Sequence, residues 1–299
     1  MPTTPHVSGR EVLRRLTKKF LRAVADHDPD YYDMYTDPSE ACFAQLYLDA
    51  IVRHAAEAGL RPPARVLEAG CQAGRLVVPL AKLGFEVTGI DTSRFAIRRA
   101  KAHARAAGVK ATFVQGDLQN ILRQRTTPSY DLVICAEVLY LSRQYRSLLQ
   151  TLADAVRPGG VLCVSHRPKA YYMLEAVRAG DAETAADILQ HREGPFRNSS
   201  YYNWQSEEEL HQLYASLGLP QIAITPIDRL AWLGNLSLAQ LTAAQQAQWL
   251  DLERQLPYVL GQWARYLLVI ATVPTATHPS RGGVSAAPDH AAASPPPRG

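Results

Sequence analysis

The 299-residue chain reads as an α/β protein, a doubly wound, Rossmann-like, mostly parallel seven-stranded sheet with helices on both faces. Three observations predict this. Short apolar runs such as VLEA, DLVICA and VLCVS alternate with amphipathic stretches, the pattern of parallel strands covered on both sides. The first run passes through the small-residue turn AGCQAG directly into a helical pattern, the strand, turn, helix unit with which wound sheets receive ligands. Successive strands end in Glu68, Asp91 and Asp117, and parallel strands bring such ends to one edge of the sheet.

Taken in order, residues 1–8 carry no pattern, and apolar Leu13, Leu16, Phe20 and Val24 predict a helix from about Glu11 to Ala25. Its basic residues also suit an organellar address or a membrane surface, but an ordinary surface helix is the simpler reading. Tyr31, Tyr32 and Tyr35 follow in an irregular piece. Asp37, Pro38 and Glu40 then read as N-cap, first helical residue and capping-box acid of a helix to about Ala58.

The core should alternate strands at Arg65–Ala69, Phe85–Asp91, Ala111–Gln115, Tyr130–Ala136 and Gly160–His166 with helices, among them one from Ser93 to Ala107 stopped by Gly108. Past His166 the alternation breaks. Residues 168–205 predict an insertion of two short helices, split by Gly180 and Asp181 and ended by Gly194 and Pro195. It leaves a carboxyl strand end and so should lie over the crevice as a lid. Ser206 and Glu209 form a second capping box, opening a helix to about Leu217. A strand at Gln221–Ile227, a helical excursion over 229–262 and a strand at Arg265–Val273 close a single domain spanning 9–273, with residues 9–60 as a helical cap. From Pro274 to Gly299 the chain is rich in Pro, Ala, Gly and Ser, which predicts a disordered tail.

Composition is that of a globular protein, with a net charge of +4. Arg94, Arg98, Lys101 and Arg105 form one basic helical stripe. With no aromatic residues interleaved, it reads as a solvated face, and no nucleic-acid partner is expected. Cys42, Cys71, Cys135 and Cys163 lie far apart without metal-ligand spacing, which predicts buried thiols in a reducing compartment and no metal site. No apolar run approaches the roughly 20 residues of a membrane span and no signal-peptide pattern opens the chain, so the expectation is a soluble cytoplasmic protein. Oligomeric state is not written in the sequence.

At the turn, Gly70 removes a side chain where the backbone must approach a ligand, and Gly74 does so where the next helix begins. The helix start offers unpaired amides and a positive dipole end. Glu68 at the strand tip repels a pyrophosphate and attracts an ammonium or sulfonium. Asp91 lies about 20 residues past the turn, the spacing at which a carboxylate meets ribose hydroxyls.

The runs VLEAGCQAG, GIDTS, QGD, YDLVICAEVLYL and RPGGVLCVS, in this order, resemble the class I S-adenosylmethionine-dependent methyltransferases, especially the small-molecule branch. The resemblance covers about residues 40 to 165 closely and the rest to Val273 loosely. It implies S-adenosyl-L-methionine as cofactor, with Glu68 and Gly70 holding its methionine end. Asp91 would take the ribose, Asp117 with the Leu118 backbone would face the adenine, and Cys135 to Glu137 would line the methionine moiety. Tyr32 or Tyr35 would close over the transferring methyl. One departure is Gln72, where the family usually has glycine.

Methyl transfer from a sulfonium is an in-line displacement, so positioning dominates and a base is needed only for a protonated nucleophile. His166, Glu137 and Tyr140, all near strand ends, are the candidate catalytic residues. The segment CAEVLYL lacks the Asn/Asp-Pro-Pro-Tyr run of enzymes that methylate base or glutamine amides, which favours a small metabolite methylated on oxygen, nitrogen or carbon. Two other readings stay open. A nicotinamide-dependent oxidoreductase is disfavoured by the missing second glycine of the turn and by Glu68, while a non-catalytic cofactor-binding or interaction module is kept open by Gln72.

Overall fold

The computed structural model describes residues 34–124, 129–197, 199–258 and 260–275. The expected N-terminal helix, Tyr32 and nearly all of the expected tail lie outside these residues. In α1 (Pro38–Glu57), Asp37 accepts hydrogen bonds from the amides of Ser39 at 2.8 Å and Glu40 at 3.4 Å, and proline fills the first helical position as read. Glu40 itself turns inward toward Arg75, 3.5 Å away.

The Rossmann-like core follows as β1 (Arg65–Ala69), α2 (Val77–Lys82), β2 (Glu86–Asp91), α3 (Arg94–Ala106), β3 (Thr112–Gln115), α4 (Leu118–Arg123), β4 (Tyr130–Cys135), α5 (Tyr145–Asp154) and β5 (Val156–His166). An inserted unit contains α6 (Lys169–Arg178), α7 (Ala182–Gln190), β6 (Glu193–Phe196) and β7 (Ser199–Asn203). The chain then runs through α8 (Glu207–Ser216), β8 (Ile222–Ile227), α9 (Leu230–Leu233), α10 (Ala243–Gln255) and β9 (Tyr266–Thr272).

The seven-stranded sheet has the order β3-β2-β1-β4-β5-β9-β8, with β1 to β5 parallel and β9 antiparallel to both of its neighbours. The reversal between β1 and β4 is the switch point at which wound sheets open a crevice at their carboxyl edge. Each strand alternates its side chains between two apolar layers. Val161 and Cys163 pack with Tyr47 and Ile51 of α1 and Leu80 of α2, while Leu162 and Val164 pack with Leu149 of α5 and Leu210 and Tyr214 of α8. This parity recurs at the functional edge of β5.

The insertion holds the two short helices expected, but residues 193–196 and 199–203 pair as antiparallel strands where the sequence predicted only a helix stop. Gly194 and Pro195, which depress strand propensity and read as punctuation, sit inside β6. A small core of Tyr172, Ile188, Phe196 and Trp204 makes this edge ribbon possible. The excursion after β8 is fastened by Arg229 and Glu253, whose side chains are only 5 % and 7 % exposed and pair at 2.8 Å. Among the described residues no helix is long and apolar enough to cross a membrane. All four cysteines are buried and free.

Candidate functional site

A cavity of about 770 Å³ opens at the carboxyl edge of the sheet. Its floor on the β1–β3 side comes from Gly70, Asp91, Asp117 and Leu118, and its other half from Glu137, Tyr140, Arg167, Arg265 and Tyr266. The hairpin of the insertion adds Ser199 and Tyr202 to the wall.

Asp91 ends β2 with its carboxylate held from behind. Oδ2 accepts from the Gln72 amide at 2.9 Å and Oδ1 from the Ser93 amide at 2.8 Å. Asp117 is the N-cap of α4, accepting from the Asn120 amide at 2.9 Å while lining the cavity, and Leu118 stands beside it. Gly70 is where the chain comes closest: at φ +79° a Cβ there would lie 2.3 Å from Cγ2 of Val138. Gln72 also takes a left-handed backbone, φ +47°, the conformation that glycine occupies without cost. Its strain is met by the bond from its own amide to Asp91.

Five of the expected site residues, Tyr35, Glu68, Gly74, Cys135 and His166, lie outside the lining of the cavity. Glu68 does not line the cavity; register pairs it with Gly89, two residues below Asp91. At 2 % exposure its carboxylate caps the helix beyond the turn, accepting from the Val77 amide at 2.7 Å, so that amide is not open to a ligand. Burial pushes Glu68 up to about 8 against the pull of Arg75 and the helix amides. Gly74 faces Val78 and Ala100 and serves the packing of α3 on the turn. Cys135 is fully buried beneath the cavity, which Ala136 and Glu137 line instead. Tyr35 stacks on His103 of α3 at 3.8 Å between ring centroids.

His166 departs furthest from its expected role. By the parity of β5 it points into the α8 layer, 1 % exposed, with Nδ1 3.2 Å from Gln205 Oε1 and Nε2 3.0 Å from the Tyr214 hydroxyl. Burial lowers it to about 4, only partly offset by the Gln205 bond. A neutral imidazole enclosed in this way cannot reach an acceptor in the cavity. Gln205 extends the buried chain to Asn203, whose amide donates to the carbonyls of Leu139 and Ser142 and so fixes the cavity loop after β4.

Glu137, by contrast, faces the cavity from a left-handed backbone, φ +61°, with its amide donating to Ser165 Oγ at 2.6 Å. Its carboxylate accepts from Arg75 Nη1 at 2.7 Å and from the Tyr266 hydroxyl at 2.6 Å. Burial alone would raise it, but Arg75 and Tyr266 outweigh burial and hold it below the usual carboxylate range. Glu40 on the far side of Arg75 is raised, first by burial and then by Glu137. Tyr140 lines the cavity, 6.0 Å from the Tyr266 ring and 6.2 Å from Tyr202.

Sequence reasoning missed Arg75, Arg167, Arg265 and Tyr266. Arg75 directly follows Gly74, and a cation just inside the turn was a readable sign. Arg167 adjoins His166, and strand alternation decides which of the two meets the cavity.

A family model described as "Methyltransferase domain" matches residues 60–216, more than half of the chain. The ubiquinone biosynthesis O-methyltransferase of Rickettsia canadensis is 32% identical over 116 residues, 38% of this chain and 48% of that protein. The protein of the same name from Methylobacterium sp. is 32% identical over 168 residues, 54% and 64% of the two chains. The chain thus spans about half to two thirds of the length of these curated relatives. Two solved structures share the fold at 17% identity. The magnesium protoporphyrin IX methyltransferase of Synechocystis with bound SAH gives a TM-score of 0.54, covering 87% of this chain and 99% of that one. The 1,6-didemethyltoxoflavin-N1-methyltransferase of Burkholderia thailandensis gives 0.53, covering 91% and 93%. With the sheet order, the turn at Gly70 and the match over most of the wound core taken together, this chain belongs to the methyltransferase domain family, of the class I, S-adenosylmethionine-dependent type.

Proposed function

We propose that the protein transfers a methyl group from S-adenosyl-L-methionine to a small-molecule acceptor bound in the same cavity. The observation that carries this reading is the Asp91 carboxylate, pre-oriented by the Gln72 and Ser93 amides on a cavity floor that Gly70 shares. Two hydroxyls of a ribose suit a carboxylate whose backbone bonds already fix its plane.

The residues present fit the cofactor. Asp117 and the Leu118 backbone suit the adenine end. Arg75 between Glu40 and Glu137 suits a zwitterionic amino-acid end: the guanidinium meets a carboxylate, and the two acids leave net negative charge for an ammonium or sulfonium. When bound, the cofactor supplies an electrophilic methyl on a sulfonium. The chain supplies position and dryness: Tyr140, Tyr202 and Tyr266 wall the acceptor half against water.

Among the candidate bases, Tyr140 and Glu137 face the cavity, but Glu137 is engaged by Arg75 and Tyr266, and His166 is enclosed elsewhere. Positioning is therefore the main work of this site, and Tyr140, whose hydroxyl burial raises above its ordinary value, is the candidate base that remains. The relatives named as ubiquinone biosynthesis O-methyltransferases favour oxygen as the methylated atom.

Calorimetric titration with S-adenosylhomocysteine tests the assignment. Wild-type protein should bind it, and Asp91→Ala should bind at least tenfold more weakly, as expected for loss of charge-assisted hydrogen bonds worth roughly 1.5–3 kcal/mol. Equal affinity in the variant would remove the ribose assignment. Incubation with labelled methyl donor and a metabolite extract then separates an enzyme from a binding module.

A further inference from the structure

We propose that the acceptor carries an anionic oxygen group, a carboxylate or an ionised enol on a flat conjugated ring, and that Arg167 is the residue that anchors it. The inference rests on the cofactor assignment above and concerns the opposite half of the cavity.

Arg167 is the first residue past β5 and is 8 % exposed, yet it lines the cavity. Its guanidinium lies over the rings of Tyr171 at 3.9 Å, Tyr266 at 4.2 Å and Tyr140 at 5.1 Å. Nη2 donates to the Tyr266 hydroxyl at 2.5 Å. Nε and Nη1 are buried and make no hydrogen bond among the described residues.

Other arginines of the interior and the cavity wall, buried Arg229 and half-buried Arg75 and Arg265, are satisfied differently. Arg75 pairs with Glu137 and Glu40, Arg229 with Glu253, and Arg265 lies 3.7 Å from Asp228. Arg167 makes no direct ion pair among the described residues; it reaches Glu137 only through Tyr266, and Glu137 is already bonded to Arg75. A guanidinium is a planar fork of five donors that stays charged at any physiological pH, so two buried nitrogens without an acceptor, Nε and Nη1, are costly unless a ligand fills their N–H groups.

The charge of the cavity is divided accordingly. Asp91 and Asp117 stand on the β1–β3 half; the half reached from β5 and β9 holds Arg167 and Arg265 together with Glu137, whose carboxylate is already taken up by Arg75. A cationic donor in the first half leaves the second to an anion, and the faces of Tyr140, Tyr202 and Tyr266 suit a flat ring between them.

Benzoate and benzamide have nearly the same shape and differ in charge, so they serve as probes. Each is titrated calorimetrically into protein saturated with S-adenosylhomocysteine. Benzoate should bind at least tenfold more tightly than benzamide, and Arg167→Met should lose at least tenfold for benzoate while its affinity for S-adenosylhomocysteine stays within twofold. Arg167→Lys, which keeps the charge but not the fork, should fall between.

Equal affinity for the two probes, no benzoate binding, or benzoate binding unchanged in a folded Arg167→Met protein would each overturn the proposal. So would benzoate that S-adenosylhomocysteine displaces, since the anion would then occupy the cofactor half. Should Arg167→Met not fold, the wild-type comparison and Arg167→Lys decide. Failure of the cofactor assignment is read separately, as absence of heat from S-adenosylhomocysteine alone.

Discussion

Gln72 and Gly70 show how tightly single residues are specified at the turn. Gln72 bears a left-handed backbone without being glycine and still serves the site through its amide, which explains why its side chain does not disqualify the fold. Gly70 has no such latitude. Gly70→Ala should cost about 1–3 kcal/mol of stability from positive φ and the Val138 contact, and should weaken S-adenosylhomocysteine binding; thermal melting and calorimetry measure both. His166 belongs to stability instead. Its folded value of about 4 lies below the ordinary 6.5, so the unfolded chain binds the extra proton and stability falls as pH drops from 6.5 toward 4, by up to about 3 kcal/mol. Glu68, raised to about 8, acts with the opposite sign, its contribution being lost as pH rises from 4.5 to 8. Comparing His166→Gln with wild type cancels Glu68. The variant should lose less stability between pH 7 and pH 5 in denaturant titrations, and parallel profiles would place the acid sensitivity elsewhere.

At the level of elements, capping residues were legible because a cap is a local bargain between one side chain and the next turn of backbone. Asp37 and Ser206 both accept from the helix they precede. The β6–β7 ribbon was not legible, because beyond its own backbone pairing it rests on packing among Trp204, Phe196 and Tyr172, brought from separate segments. The excursion after β8 depends on a similarly distant pair. Glu253 accepts from Nε of Arg229 and from the amides of Arg229 and Leu230, while Arg229 donates to the carbonyls of Glu253, Leu256 and Pro257. One carboxylate thus caps the start of α9 and one guanidinium caps the end of α10. Glu253→Ala strands a buried cation and should destabilise by about 3–5 kcal/mol in chemical denaturation, and a loss under about 1 kcal/mol would mean the excursion is held by apolar contacts alone.

For the whole molecule, ligand and fold are linked through one edge of the sheet. At a hundred times its dissociation constant, S-adenosylhomocysteine should add about 2.7 kcal/mol to the stability of the native state, a rise of several degrees in Tm, whereas NAD should leave Tm unchanged. The sequence by itself determined the wound sheet, the order of its strands' chemistry and the acids at Asp91 and Asp117, because apolar period, turn residues and strand ends are properties of adjacent positions. Only the tertiary structure decided that Glu68 lies beneath the site, that His166 faces α8 while Arg167 faces the cavity, and that Arg75, Tyr266 and Tyr202 complete the walls. Those outcomes depend on register between strands and on which layer each side chain enters, and such relations arise only when residues far apart in the chain pack together.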